Sequence, residues 1–229
     1  MSDGGVPVAV VIPTLDEAGL IAPLLRMLTA MDFAEIVVAD GGSRDGTVAM
    51  ITATPGVRLV QCARGRGIQI NAGVAATSAP IVLVLHADTR LPHDGPELIR
   101  ASLADPAVAA GCFRLGFDVC SPLLVVFAWF SRFETSLTTF GDQAFFFRRA
   151  AFEAIGGAPG WPFLEDVALR ERLRCIGRFV KRPEVVVTSA RRFTKLGPAR
   201  TQLRNMLILA CYRCGIPVNY LARAYGIVR

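Results

Sequence analysis

Through roughly residue 90, short and nearly continuous apolar runs alternate with amphipathic stretches. The runs at 8–12, 35–39 and 81–85, with a weaker one at 57–61, predict strands covered on both faces. Between the first two, Leu20, Ile21, Leu24, Leu25 and Leu28 recur on one helical face, and Asp16 is placed to cap that helix. A second crossover helix is predicted after Asp45. Strands linked by such crossovers read as an α/β fold with a parallel sheet. Beyond about residue 105 the pattern loosens into strands at 108–115, 144–148 and 185–189 and helices at about 121–138 and 165–176. That predicts a mixed, mostly parallel sheet flanked by helices, with no internal repeat and no low-complexity linker.

Polar residues gather just beyond the carboxyl end of each early strand: Thr14, Asp16 and Glu17, then 40–45, then His86, Asp88 and Thr89. In an open α/β sheet this edge is where ligands bind. In the turn 39–47, Gly41 and Gly42 permit close backbone approach, Ser43 and Asp45 are placed to cap the next helix, and Asp40 can accept hydrogen bonds from a ribose or base. Such turns are also ordinary connections, and the residues alone do not choose. Asp88 at a buried strand's tip is suited to holding a divalent cation against a diphosphate. His86, taken singly, reads as an ordinary polar strand end. Glu165 and Asp166 open a helical pattern, where acidic residues stabilise by capping and dipole compensation worth about 0.5 to 2 kcal/mol.

Composition narrows the partners. A chain of 229 residues fits one domain with an appended segment, divided here as 1–198 and 199–229. A hydrophobic fraction of 52% with 19% charged residues excludes disorder. The formal net charge of +6 favours an anionic partner. Dispersed arginines, and aromatics lying mainly in oily runs, argue against nucleic acid. The first residues carry no basic segment followed by a long apolar one, so a cytoplasmic protein is expected. Of the six cysteines, Cys211 and Cys214 form a lone Cys-x-x-Cys without a second pair, the mark of reduced structural thiols rather than a zinc site. Arg132 and Glu134 end the oily run from Leu123, and Arg213 ends the one from Met206, short of the roughly 20 residues a spanning helix needs. From Arg200 to Arg229, Leu203, Met206, Leu207 and Tyr212 mix with Arg204, Arg213 and Arg223. Two readings stay open: an interfacial helix on anionic lipid, where a lipid-linked acceptor would be met, or a helix packed on the core or against a second copy of the chain.

Four motifs in order, Val-Ile-Pro-Thr-Leu-Asp-Glu at 11–17, Val-Ala-Asp-Gly-Gly-Ser-Arg-Asp-Gly-Thr at 38–47, Arg-Gly-Arg-Gly-Ile-Gln-Ile-Asn-Ala-Gly at 64–73 and Leu-His-Ala-Asp-Thr at 85–89, followed by 141–143 and 164–166, resemble family 2 of the inverting glycosyltransferases of GT-A fold. The His-Ala-Asp form resembles a small bacterial subgroup. The resemblance implies that Pro13, Thr14 and Glu17 line the base pocket and that Asp40, with Gly41 beside it, meets the nucleoside. It places Arg66 and Asn71 near the phosphates or base. It makes Asp88, flanked by Ala87, the metal carboxylate of the Asp-x-Asp motif, with His86 standing where that motif has its first aspartate. An imidazole there shifts preference from Mg2+ towards Mn2+. Asp166 becomes the general base, beside Glu165, with Asp142 and Gln143 as donor-sugar or acceptor contacts and Arg191 and Arg192 as a basic loop over the diphosphate. For that role the resemblance requires Asp166 to be desolvated by neighbours such as Trp161, Pro162 and Phe163. The implied donor is a nucleotide-diphosphate sugar, UDP by default with GDP and dTDP as alternatives. The absence of Gln-x-x-Arg-Trp points to transfer of one sugar. Rival readings are a sugar nucleotidyltransferase, whose glycine-rich start is missing, a dinucleotide oxidoreductase, whose Gly-x-Gly-x-x-Gly is replaced by Pro13-Thr14-Leu15-Asp16-Glu17, and a silent nucleotide-binding or membrane-docking module.

Overall fold

The early apolar runs become β1 (Val8–Thr14), β2 (Glu35–Asp40), β3 (Val57–Gln61) and β4 (Ile81–Val84), joined by α1 (Ala18–Thr29), α2 (Thr47–Thr52) and α3 (Arg66–Ala75). The computed structural model describes residues 5–161, 163–191, 193 and 197–224. After β4 come β5 (Thr89–Arg90), α4 (Gly95–Ser102), β6 (Val108–Phe117), α5 (Pro122–Phe130), a 3-10 turn (Gly141–Gln143), β7 (Phe146–Arg148), α6 (Arg149–Ala154), α7 (Glu165–Ile176), β8 (Arg178–Thr188), α8 (Pro198–Arg213) and α9 (Val218–Ala224). Among the described residues they build one eight-stranded sheet in the order β3-β2-β1-β4-β7-β6-β8-β5. β3, β2, β1 and β4 run parallel, β7 is antiparallel to both β4 and β6, β8 is parallel to β6, and β5 is antiparallel to β8.

The unbroken hydrophobicity of β1 follows from its central place. Val8, Val10 and Ile12 pack with Ile21, Leu24, Leu25 and Leu28 of α1 on one face. Val11 packs with Ile70 and Val74 of α3 on the other. Each such side chain, fully buried, contributes about 1.5 to 3 kcal/mol. Helix α3 lies so close that a Cβ on Gly73 would stand 2.3 Å from Val11 Cγ1.

Four expectations change. Asp16 does not cap α1: it sits in the left-handed region at φ 53°, and the cap is supplied from another loop, Asp45 Oδ2 accepting from Ala18 N–H at 3.0 Å. Ser43 does not cap the helix that follows it: its hydroxyl donates to Asp40 Oδ1 and its oxygen accepts from Asp16 N–H at 2.9 Å, ahead of α1. The helix expected over 121–138 stops at Phe130, because Lys181 Nζ takes the carbonyls of Ser131 (2.8 Å) and Phe133 (2.9 Å) that a continuing helix would use itself. The strand expected at 185–189 starts at Arg178, its first half drawn in by pairing with β6. Helices α3, α4 and α6 were hidden in short or motif-rich stretches.

The C-terminal helices place Ile208, Val218, Leu221 and Ala222 around Phe163, with Trp161 packed at the edge of that cluster. Among the described residues no helix is long and apolar enough to cross a membrane. All six cysteines are free thiols.

Candidate active site

The carboxyl ends of β1, β2 and β4 open onto one edge of the sheet, and the first two loops there are laced together. The N–H groups of Asp16, Glu17 and Ala18, which a helix start leaves without internal partners, donate to Ser43 Oγ (2.9 Å), Thr47 Oγ1 (2.9 Å) and Asp45 Oδ2 (3.0 Å). Arg44 N–H returns a bond to Asp16 Oδ1 at 2.8 Å. Asp45 titrates below its usual range because the Thr47 hydroxyl and the amides of Ala18 and Thr47 bond its charged form. Asp40 is buried and organises its own turn, Oδ2 accepting from Gly42 N–H (2.9 Å) and Ser43 N–H (3.0 Å). Pro13 and Thr14 are buried at the end of β1. Gly41 donates to Thr14 O at 2.9 Å, and a Cβ on it would press on Gln69 at 3.1 Å.

Helix α3 carries a residue that sequence reading passed over. The amide of Gln69, 3% exposed, donates to Thr14 O (2.7 Å) and Ala39 O (2.9 Å), tying the ends of β1 and β2 together beneath the edge. Its place in the 64–73 motif was the available signal. Asn71, expected near the donor, instead bonds the backbone of Ala158 in both directions, Nδ2 to the carbonyl at 2.8 Å and Oδ1 from the N–H at 2.9 Å. Gly67 lies against the same segment, where a Cβ would fall 2.0 Å from Pro159 O.

That segment leads into α7, whose first turn holds the acidic pair. Glu165 is 1% exposed and meets Arg66 Nε at 3.0 Å. The Arg66 guanidinium is held above its ordinary pKa by Glu165 foremost, against the opposing effect of burial, with Asp166, Asp142 and Asp88 adding to it. Asp166 Oδ2 accepts from Gly141 N–H at 2.7 Å. Gly141 has no room to spare: an added Cβ would stand 3.0 Å from Asp166 Cβ and 3.4 Å from His86 Nε2, which brings His86, Gly141 and Asp166 together. Gln143 is buried, its amide bonding Thr138 O at 2.6 Å and receiving Cys112 Sγ at 3.6 Å.

The turn at His86 is closed by Thr89 N–H donating to His86 O at 3.0 Å. Ala87 within it is buried. Asp88 backs onto β8, its carbonyl accepting from Ser189 N–H at 3.0 Å. Arg191, just beyond β8, hydrogen-bonds Glu17 and approaches Asp88 Oδ2 at 3.7 Å. Its pKa is raised by the Glu17 bond first, burial opposing, and then by the charges of Glu17 and Asp88. Arg192 and Pro162 lie outside the described residues. Among the described residues, no three His, Cys, Asp or Glu form a group that could cage a metal ion by themselves.

The arrangement therefore joins a partly buried sheet edge, an arginine set between two carboxylates and an acidic pair at a helix start. The sequence profile described as Glycosyl transferase family 2 matches residues 9–156. No curated protein matches the chain. Among solved structures, the chain is similar to the mannosyltransferase PcManGT from Pyrobaculum calidifontis in complex with GDP-Man and Mn2+, at 24% identity and a TM-score of 0.67, covering 90% of this chain and 63% of that one. It is similar to S. aureus TarS in complex with UDP-GlcNAc, at 16% identity and a TM-score of 0.66, over 80% of this chain and 58% of that one. Glucosyl-3-phosphoglycerate synthase from Mycobacterium tuberculosis, in complex with Mn2+, UDP and glucosyl-3-phosphoglycerate, matches at 22% identity with a TM-score of 0.63, over 93% and 81% of the two chains. The chain spans less than two thirds of the first two. At these identities the likeness is one of fold, that of the GT-A glycosyltransferases.

Proposed function

We propose that this chain, which belongs to glycosyl transferase family 2, transfers a single sugar from a nucleotide-diphosphate donor to an acceptor hydroxyl with inversion. One observation carries the reading: His86 after β4, Gly141 of the 3-10 turn and Asp166 of α7 meet at the sheet edge, Asp166 Oδ2 accepting from Gly141 N–H, with Arg66 of α3 paired to the neighbouring Glu165. The nucleotide sugars bound by the GT-A neighbours support the donor class.

In this reading the base and ribose lie against Pro13, Thr14, Glu17, Asp40 and Gly41. Arg191, between Glu17 and Asp88, brings positive charge to the leaving diphosphate, and Arg192 extends that charge. Asp142 and Glu165 border the sugar and acceptor. Asp166, fixed by the Gly141 N–H, accepts the acceptor's hydroxyl proton as that oxygen bonds the anomeric carbon and the bond to the diphosphate oxygen breaks. A single displacement inverts the centre. Asn71 and Gln143 act by holding the backbone that carries these groups. In the same reading residues 1–198 are the catalytic domain and 199–229 an appended segment, helical in its described part.

A divalent ion fits the donor set at one point. Asp88 offers a carboxylate and His86 an imidazole, and hard cations at phosphate sites commonly take one or two protein ligands with the substrate's phosphate oxygens as the rest. Mn2+ in two neighbours supports the same assignment. When bound, such an ion draws charge from the departing diphosphate.

Calorimetric titration of UDP, GDP and dTDP, with and without Mn2+, into the wild type and Asp88→Ala tests the donor site. Metal-dependent binding of one nucleotide, lost in the variant, is the expected outcome. Failure of all three nucleotides to bind under both conditions overturns the reading.

A further inference from the structure

We propose that the face formed by α5 and α8 docks onto an anionic lipid bilayer. Helix α5 runs Pro-Leu-Leu-Val-Val-Phe-Ala-Trp-Phe without a polar side chain, yet only Leu124 of its nine residues is buried. A helix apolar all round belongs in a core or in lipid. Here Val125, Val126, Trp129 and Phe130 are each 46% to 56% exposed, and Phe133 follows at 44%. Helix α8 touches α5. It turns Ile208 and Leu209 inward while leaving Leu203, Met206 and Leu207 exposed. Scattered surface apolars are ordinary, but this run on adjoining helices is of the kind that marks an interaction surface.

Charge selects the occupant. Residues 119–133 and 198–224 contain Arg132, Arg200, Arg204, Arg213 and Arg223 and not one Asp or Glu. Acids at the margins are already engaged, Asp118 with Ala190 N–H and Glu134 with Arg170 and Arg174. Arg213 pairs with Glu171 of α7 at 3.3 Å. Two copies joined through this face would set arginines against arginines, whereas lipid phosphates neutralise them. The Arg132 guanidinium stands 4.7 Å over the Trp129 ring, an aromatic body with a cationic tip suited to the headgroup layer. The face also adjoins the catalytic edge. Phe193 packs on Phe117 and on Phe127 of α5, two residues beyond Arg191. A docked protein therefore holds its active edge beside the bilayer, where an acceptor with an apolar anchor would be presented. The docking itself does not depend on the proposed reaction.

Sedimentation with vesicles of phosphatidylcholine alone, and of equal parts phosphatidylcholine and phosphatidylglycerol, tests this. The wild type is expected to pellet with the mixed vesicles and not the neutral ones. Trp129→Ser/Phe130→Ser and Leu203→Ser/Met206→Ser should each lower the partition at least about tenfold, while unfolding at the wild-type temperature. Should either double variant fold poorly, Arg132→Gln/Arg200→Gln on exposed positions is expected to weaken the same binding. Equal pelleting with both vesicle types, no pelleting, or wild-type partition in well-folded variants overturns the proposal. So does a concentration-dependent dimer in sedimentation velocity that these substitutions abolish without any vesicle binding, an outcome that assigns the face to a second copy.

Discussion

Asp166 illustrates how a residue's company decides its work. On sequence it is a helix-start acid, and a helix start needs nothing more of it. In the fold its Oδ2 reaches back 25 positions to the Gly141 N–H, so the carboxylate is oriented by a second element, which a general base requires. Asp166→Asn preserves size and much of this hydrogen bonding but cannot accept a proton. It is expected to lower kcat by about a hundredfold or more while leaving nucleotide affinity by titration unchanged. Loss of affinity equal to the loss of kcat would instead assign Asp166 to donor binding. Gly141, a bystander in the sequence, is confined by Asp166 and His86, and its lack of a side chain is what lets them approach.

Helix α3 acts as a tie between the two halves of the site. Its residues each contact a different neighbour: Arg66 meets Glu165, Gly67 lies on Pro159, Gln69 binds Thr14 and Ala39, Asn71 binds Ala158, and Gly73 seats the helix on Val11. Helical spacing explains why one short motif does all this, because residues three or four apart share a face while the others face away. The tie is tight at Gly67, where an added methyl group meets a backbone carbonyl that has no rotamer to escape into. Gly67→Ala should therefore displace the 157–165 segment, costing about 1 to 3 kcal/mol of stability and lowering kcat more than it changes nucleotide affinity. Thermal unfolding and steady-state kinetics read the two effects separately. Unchanged stability and kinetics would show that the segment yields freely and that α3 does not position α7.

At the scale of the whole molecule, the sheet depends on joins that lie far from the chemistry. Glu35 at the start of β2 accepts from Ser78 N–H (2.8 Å), Ser78 Oγ (2.9 Å) and Ala79 N–H (2.9 Å), pinning the entry to β4. Burial pushes its carboxyl up, but those hydrogen bonds together outweigh it and the group titrates below its ordinary 4.5. The folded protein consequently binds fewer protons here than the unfolded chain. This contribution to stability is fully present above pH 4.5 and is lost as pH falls through the lowered folded value. Unfolding temperatures of wild type and Glu35→Gln, followed from neutral to acid pH, should differ most at neutrality and converge below pH 4.5. A gap that persists unchanged into acid would place the effect in packing rather than in charge.

The sequence by itself determined β1, β2 and β4, since central strands buried on both faces must be apolar throughout, and the crossover helix α1, whose leucines keep one face; it also marked β3, which lies at the edge of the sheet and is half exposed rather than covered on both faces. It also determined the family, through short motifs whose residue types and order survive without any knowledge of contacts. Local patterns were less informative where the local rule loses to a distant partner. Nothing near residue 131 reveals that Lys181, on another strand, takes the carbonyls that would extend α5. Asp16 looks like a cap, and only the packing of the 40–47 loop onto α1 gives that role to Asp45. Asn71 and Gln69 are adjacent in type and motif, yet one holds Ala158 and the other holds two strand ends. Hydrophobic period is a property of neighbours along the chain, and it sets elements. Hydrogen-bond partners tens of residues apart are chosen only when those elements pack, and here that packing decided which polar residues face the reaction and which hold the frame.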